Sequence, residues 1–314
     1  MRWAGVSIRE PRASIGMRLV VPKVHSRPPF WRYNRWERQV YFSAFHISPT
    51  NVPHYVAALN LYRPVTLVAW PSTAYFLAKC ISEGHLEVHS PRAIITTSEA
   101  LRPHMRQTVE AVFQSRAYQE YGLLENCGIA TECESGNFHV HIDFGYLEIL
   151  RPDGSNASPG ELGEVVLTGF ANPNQIFIRY RTGDLASWAT QLCACGRNTL
   201  PALAEVVGRI EDTIALPDGR RTPRLDFLFK ELSGVAEAQI IQEALDRLVV
   251  RIVPTPSYSP ADEDAIRKRA AQRLGSEITV EVHTVTNIPR EPNGKLRAVV
   301  SRVTSPPSSF VVGD

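Results

Sequence analysis

No apolar run in the 314 residues approaches the roughly 20 that a membrane-spanning helix needs, which excludes a helical span as the reading of this sequence. Charge of one sign is not in excess either. Lys plus Arg number 34 against 32 Asp plus Glu, a formal net charge of +2, so nucleic acid and anionic membranes have no compositional support as partners. The first residues, MRWAGVSIREPRAS, alternate charged and apolar side chains and lack the apolar core of a signal peptide. A cytoplasmic location is the resulting expectation. Cysteine is scarce: five residues, at 80, 127, 133, 193 and 195, an odd count that argues against a disulfide framework. Internal repeats are absent, and Gly-Lys occurs only at 294–295. What is present is ordinary for a globular chain: 44% hydrophobic and 21% charged residues.

Residues 48–120 alternate helix and strand signals. A helix opens near Ser48-Pro49 and ends before Arg63-Pro64, and Val65–Ala69 is a short strand run. A second helix, Thr73–Ser82, stops at Gly84. Arg92–Thr97, Pro103–Gln114 and Ala117–Tyr121 follow as strand, helix and strand. Short strands spaced by such helices predict βαβ units and a parallel sheet, whose ligands sit at the carboxyl ends of the strands. Thr96-Thr97-Ser98-Glu99 and Tyr121-Gly122 occupy that kind of position.

From about Asn137 the pattern becomes strand after strand: Phe138–Ile142, Gly145–Leu150, Glu164–Phe170 and Gln175–Tyr180, with turns rich in Gly, Pro, Asn and Asp. This predicts an antiparallel or barrel-like subdomain. A linker is expected around 213–219, then a compact α+β unit with helix 223–232, strands 235–242 and 247–253, helix 260–274 and strand 278–284. The expected organisation is thus a large domain over 1–212, a small mobile domain over 213–303 and a loose tail over 304–314.

The most informative stretch is RYRTGDL at 179–185. A Thr182-Gly183 turn after the strand would present Asp184 beside Arg179 and Arg181. One carboxylate can accept hydrogen bonds from both hydroxyls of a ribose, and Gly183 permits a tight turn against a ligand. Taken alone, the same residues fit a surface turn with a local Arg–Asp pair.

Four companions add weight. In YGLLE at 121–125, Tyr121 could stack on a base and Glu125 could hold Mg2+ against a phosphate. In GRIEDT at 208–213, Arg209 offers a positive fork for ribose or phosphate oxygens. In PNGKLR at 292–297, Asn293-Gly294 is a hairpin signal with Lys295 just past its tip. Cys133 and His139 lie after the Tyr-Gly motif, and Cys193 and Cys195 after Asp184. Three thiolates and an imidazole suit tetrahedral zinc. The rival His141 shares the face of His139 on one strand, so loop geometry decides between them.

In this order and spacing, YGLLE, ELGEVVLTGF, IRYRTGDL, CACGR, GRIEDTI and IPREPNGKLR resemble the adenylate-forming (AMP-forming) ligase superfamily. The nearest likeness is to phenylacetate–CoA ligase-like and capsular-polysaccharide-biosynthesis-type proteins, from about Arg2 to Val303. The resemblance implies an α/β large domain, with a parallel βαβ sheet and an antiparallel subdomain, followed by a small α+β domain. It implies activation of a carboxylic acid by ATP to an acyl-adenylate, and then thioester formation with coenzyme A. On this likeness Thr97, Ser98 and Glu99 border the adenine and Tyr121-Gly122 belong to the nucleotide site. Glu125 helps bind Mg-ATP, Asp184 and Arg209 hold the ribose, and Lys295 acts in adenylation. Cys133, His139, Cys193 and Cys195 match the branch's structural zinc site. The Gly-rich phosphate loop of such ligases, of the form TSGTTGKP, has no counterpart here, and Met1 is expected to fall inside the large domain of a full-length relative. Two readings follow: a ligase whose N-terminal part is absent through truncation, a misplaced start codon or a split gene, or a non-catalytic homologue that binds nucleotide and zinc as a partner subunit. A separate N-terminal fragment or a second copy of the chain (a homo-oligomer) is the macromolecular partner to look for.

Overall fold

The computed structural model describes residues 1–16, 19–223, 225–230, 232, 234–289, 296–303 and 309–310. Lys295 and its Pro292-Asn293-Gly294 hairpin lie outside the described residues. The chain forms two compact units. One comprises Met1–Leu147, Leu167–Ile178 and Ala189–Ala204, the other Glu148–Val166, Arg179–Trp188 and Glu205–Asp314.

The first unit is built on β1 (Arg12–Ile15), β2 (Trp31–Asn34), β3 (Gln39–Phe42), α1 (Val52–Tyr62), β4 (Thr66–Ala69), α2 (Pro71–Glu83), β5 (Ala93–Thr97), α3 (Pro103–Phe113), β6 (Ala117–Gly122), β7 (Ile129–Glu132) and β8 (Phe138–Val140). The strands run in the order β2-β3-β1-β4-β5-β6-β7-β8. The pairs β3/β1, β1/β4, β4/β5 and β5/β6 are parallel. β2/β3, β6/β7 and β7/β8 are antiparallel. All three helices carry Pro at the first turn, where a missing N–H leaves no bond unmade. They bury Tyr55, Leu59, Leu77, Ile81, Val109 and Phe113 against strand residues such as Ile15, Phe42, Leu67 and Ile94. β5 is buried over four successive residues, as expected for a strand covered on both faces. The first three strands carry no reading in the sequence analysis. Each mixes polar with apolar residues, RASI, WRYN and QVYF, and lacks the aliphatic run, Leu67-Val68-Ala69, that marks the equally short β4.

The second unit takes in β11 (Tyr180–Trp188) with parts of β9 (Gly145–Leu150), β10 (Leu162–Gly169) and β12 (Ala202–Arg209), adjacent in the order β12-β11-β10-β9. It also holds the short strands β13 (Ile214–Ala215) and β14 (Arg220–Thr222) and the sheet of β15 (Val235–Ala244), β16 (Arg247–Pro254), β17 (Thr279–Thr284) and β18 (Val299–Ser301). Against that sheet packs α4 (Pro260–Leu274), opened by a capping box in which Ser259 and Asp262 satisfy each other's backbone N–H groups. Ile240, Leu248, Val250, Ile252, Ile266 and Ala270 form its core.

Three sequence expectations are corrected. The strand expected over Gln175–Tyr180 begins only at Tyr180, and the Thr-Gly-Asp residues lie inside it; Gly183, at φ +73°, bends the strand instead of ending it. The helix expected over 223–232 is a 3-10 segment, Leu225–Phe229, whose buried Leu225 and Leu228 keep a three-residue period. Ser309–Phe310, within the expected loose tail, form β19, parallel to β14, because Phe310 packs with Leu162, Leu185 and Val207. Among the described residues no helix is long and apolar enough to cross a membrane.

Candidate functional site

The parallel strands of the first unit end together, so their following residues line one edge. β5 and β6 run side by side with Thr97 opposite Glu120, which places Ser98-Glu99 and Gly122–Glu125 at neighbouring strand ends. Ser98 takes a left-handed φ of +71°, a turn that β-carbon sterics disfavour outside glycine. The turn lets the Glu99 carboxylate accept the Ser72 N–H at 2.9 Å, at the start of α2. A carboxylate there satisfies a helix N–H and faces the positive end of the helix dipole. Tyr121 is buried and pairs with Ala130, while Gly122 lies opposite Ile129. Glu125 is half-buried in the turn that follows, and its carbonyl oxygen accepts from Asn172 Nδ2 at 3.0 Å. The same Asn172 accepts the N–H groups of Asn174 and Gln175. Asn172 carries no signal in the sequence beyond a turn-rich stretch, yet it ties the Glu125 turn down. The Cys127 thiol is pushed up by burial and, secondarily, by the nearby Glu125 charge.

In the second unit Asp184 is buried, and its Oδ1 lies 2.8 Å from Arg209 Nε. Asp184 N–H donates to Thr182 Oγ1 at 3.0 Å, and Thr182 Oγ1 donates to the Val165 carbonyl at 2.8 Å. Arg209 also reaches the Thr182 carbonyl, at 3.4 Å. Thr182 therefore fixes the backbone at Gly183, a role the sequence reading missed because Thr in a strand is unremarkable. The two arginines flanking the motif have other partners. Arg181 pairs with buried Glu164, and Arg179 Nε lies 3.2 Å from Glu148 Oε2. Asp184 is thus met by Arg209, and the alternative of a plain surface turn does not fit a buried Asp184. Alternation along a strand turns Arg181 away from residue 182, and the cation that meets Asp184 comes from 25 residues downstream (209 − 184).

The cysteine pattern converges in the first unit. Ligand atoms of Cys133, His139, Cys193 and Cys195 all lie within 4.8 Å of one another. Cys133 Sγ and Cys193 Sγ are 3.5 Å apart, and Cys195 Sγ is 3.1 Å from His139 Nε2. Tetrahedral zinc, with bonds of about 2.0–2.3 Å, needs donors spaced by roughly 3.5 Å. The two cysteine turns are alike: Ser135 N–H points at Cys133 Sγ (3.3 Å) and Arg197 N–H at Cys195 Sγ (3.5 Å). Gly196, at φ +80°, lets the second turn close. Such N–H groups stabilise a thiolate. Burial pushes the Cys133 thiol up. At Cys193 burial acts the same way, but the Cys195 N–H and the adjoining thiols outweigh it, and this thiol ends below its ordinary value.

The choice between the two histidines is also visible. β8 ends at Val140, and His141 turns to Thr131, with which it shares a hydrogen bond. His139 is fully buried beside Cys195. Trp3 stacks on His141 (ring centroids 5.0 Å) and meets His139 edge-on, and the Arg197 guanidinium lies over the Trp3 ring, 4.8 Å from its centroid. A residue near the first methionine thus screens the cluster, a contact with no local sequence signature.

A family model described as the CapK C-terminal domain matches residues 221–302. Protein CapK of Staphylococcus aureus is 25% identical over 301 residues, covering 93% of this chain and 65% of that protein. The phenylacetate-coenzyme A ligase of Thermus thermophilus is 24% identical over 278 residues, 78% of this chain and 62% of that protein. A solved 2-hydroxyisobutyryl-CoA ligase, in the postadenylation state with 2-HIB-AMP, shares the fold at a TM-score of 0.71 and 21% identity, over 95% of this chain and 66% of its own.

The chain has the fold of these CoA ligases.

The fold also matches the anthranilate CoA ligase AuaEII in complex with anthranoyl-AMP, at a TM-score of 0.65 and 15% identity, over 92% of this chain and 58% of that one. The chain spans 65% and 62% of the length of the two curated relatives above.

Proposed function

We propose that this chain is a member of the adenylate-forming ligase superfamily and takes part in ATP-dependent activation of a carboxylic acid, in the manner of the acid–CoA ligases it resembles. A carboxylate oxygen attacks the α-phosphorus of ATP, the bond to pyrophosphate breaks, and an acyl-adenylate forms. The thiol of coenzyme A then displaces AMP and leaves a thioester. The observation that carries the reading is the Asp184–Arg209 pair, a buried carboxylate held by a guanidinium at a glycine bend. Such a pair suits ribose hydroxyls, which donate to the carboxylate while the guanidinium fixes its direction. Thr97–Glu99 and Tyr121-Gly122, at the carboxyl ends of parallel strands, suit an adenine, and Glu125 suits Mg2+. Lys295 is assigned the neutralising role during adenylation on the resemblance, with residues 213–303 as the mobile domain that carries it.

For Cys133, His139, Cys193 and Cys195 we propose structural zinc, on four N and S donors drawn together beside Trp3. When bound, zinc would hold the 189–202 loop to β7 and β8.

A second reading, a nucleotide- and zinc-binding homologue without turnover, rests on the sequence, where Gly-Lys occurs only at 294–295 and no Gly-rich phosphate loop is present. Pyrophosphate release from Mg-ATP, measured with a panel of aryl and fatty acids with and without coenzyme A, separates the two. Acid-dependent release above background is the result expected of a ligase. Background rates with every acid, together with intact AMP binding, would reject turnover and leave the binding reading. Absence of both would reject the two together.

A further inference from the structure

The hairpin of β2 and β3 carries chemistry that the ligase reading leaves unused. Its pairing closes at Asn34 opposite Gln39, so residues 35–38 form the tip. Asn34 Oδ1 accepts the N–H of Trp36 at 3.0 Å and of Glu37 at 3.3 Å, which gives the tip a fixed shape before it meets anything. At that tip Trp36 is 98% exposed. Tyr33 stacks on Tyr62 with ring centroids 4.8 Å apart, which brings the end of α1, with exposed Leu61 and Arg63, alongside.

Arg32, Arg35, Arg38 and Arg63 are all exposed, and none joins an ion pair among the described residues. The one acid in the stretch, Glu37, is bonded by Tyr41 Oη. Four arginines less one glutamate give a local formal charge of +3, more than the +2 of the whole chain. Averaging over 314 residues conceals this alternation of basic and aromatic side chains. β2 ends the strand order of the described residues, among which no further strand of its sheet pairs with it.

We infer that this hairpin docks the protein on an anionic lipid surface. Trp36 enters the headgroup layer, where an indole has both an apolar body and an N–H to place, and the arginines meet lipid phosphates. Charge argues against a second copy seated on the same patch, since a symmetric contact would set four arginines against four. The aliphatic Leu61 beside the aromatic residues favours lipid over nucleic acid, which offers stacking but no hydrocarbon layer. The binding is peripheral, requires no spanning segment and is independent of the ligase reading.

The test is co-sedimentation of the full chain with vesicles of phosphatidylcholine alone and of phosphatidylcholine with phosphatidylglycerol, together with tryptophan emission. Binding to the anionic vesicles only, reversed by high salt, with a blue-shifted emission, is expected. Arg32→Gln with Arg35→Gln should weaken it roughly 30-fold, at about 1 kcal/mol per arginine. Trp36→Ala should weaken it about tenfold and remove the blue shift, with thermal unfolding unchanged in each variant. Equal binding to neutral vesicles, no binding, or unaltered binding by the variants would overturn the inference. So would arginine-dependent binding to a single-stranded oligonucleotide without vesicle binding, or a dimer that Trp36→Ala dissociates.

Discussion

Asp184 and the cysteines owe their properties to partners that sequence proximity does not choose. Asp184 follows Arg179 and Arg181 within five residues of chain but pairs with Arg209, while Arg181 meets Glu164 and Arg179 meets Glu148. The motif RTGDL was legible as a site, while its electrostatics were not. The thiols show the reverse. Their spacing is unlike paired C-x2-C ribbons and the resemblance supplied the candidate set, whose four donor atoms the fold brings within 4.8 Å. His139 over His141 was decided by where β8 ends, a boundary finer than sequence periodicity resolves. At this scale one zinc per chain is expected by elemental analysis. Cys193→Ser with Cys195→Ser should remove it and lower the midpoint of thermal unfolding, since metal binding to a folded site adds directly to stability. Zinc retained at full stoichiometry by that double variant would reject the assignment.

Elements were readable where they are long or strongly punctuated. α1, α2, α3 and α4 each begin at or near a proline and fall close to their expected bounds. β1 and β2 were not readable, because their mixed polar and apolar residues lack the aliphatic run of the equally short β4 and pairing across the sheet defines them. The bend at Gly183 was read as a turn, since a glycine with a positive φ serves a bulge as well as a chain reversal. Close contacts between elements are equally hidden. A β-carbon at Gly145 would lie 2.2 Å from the Cys127 carbonyl oxygen and 3.0 Å from that of Thr168. Both are backbone atoms, so nothing flexible can yield. Gly145→Ala should therefore cost about 2–4 kcal/mol in denaturant unfolding and loosen the Glu125 turn that Cys127 follows. A variant with wild-type stability would show that β9 and the Cys127 segment can separate at little cost.

For the molecule as a whole, composition excluded more than it identified: a charge of +2 and ordinary apolar content fit any globular enzyme. Class came from motif order, and the α/β organisation it implied is present as a mixed sheet in one unit and a smaller sheet in the other. The acyl substrate was not legible, because an apolar pocket leaves no spacing to read. The central claim is that Asp184, steadied by Arg209, receives the ribose of a nucleotide. Calorimetric titration with AMP tests it most directly. Loss of a charge-assisted hydrogen bond of about 2 kcal/mol predicts that Asp184→Asn binds AMP roughly 30-fold more weakly than the unaltered chain, with the same thermal unfolding. Equal affinity of the two, or no affinity in the unaltered chain, would contradict it.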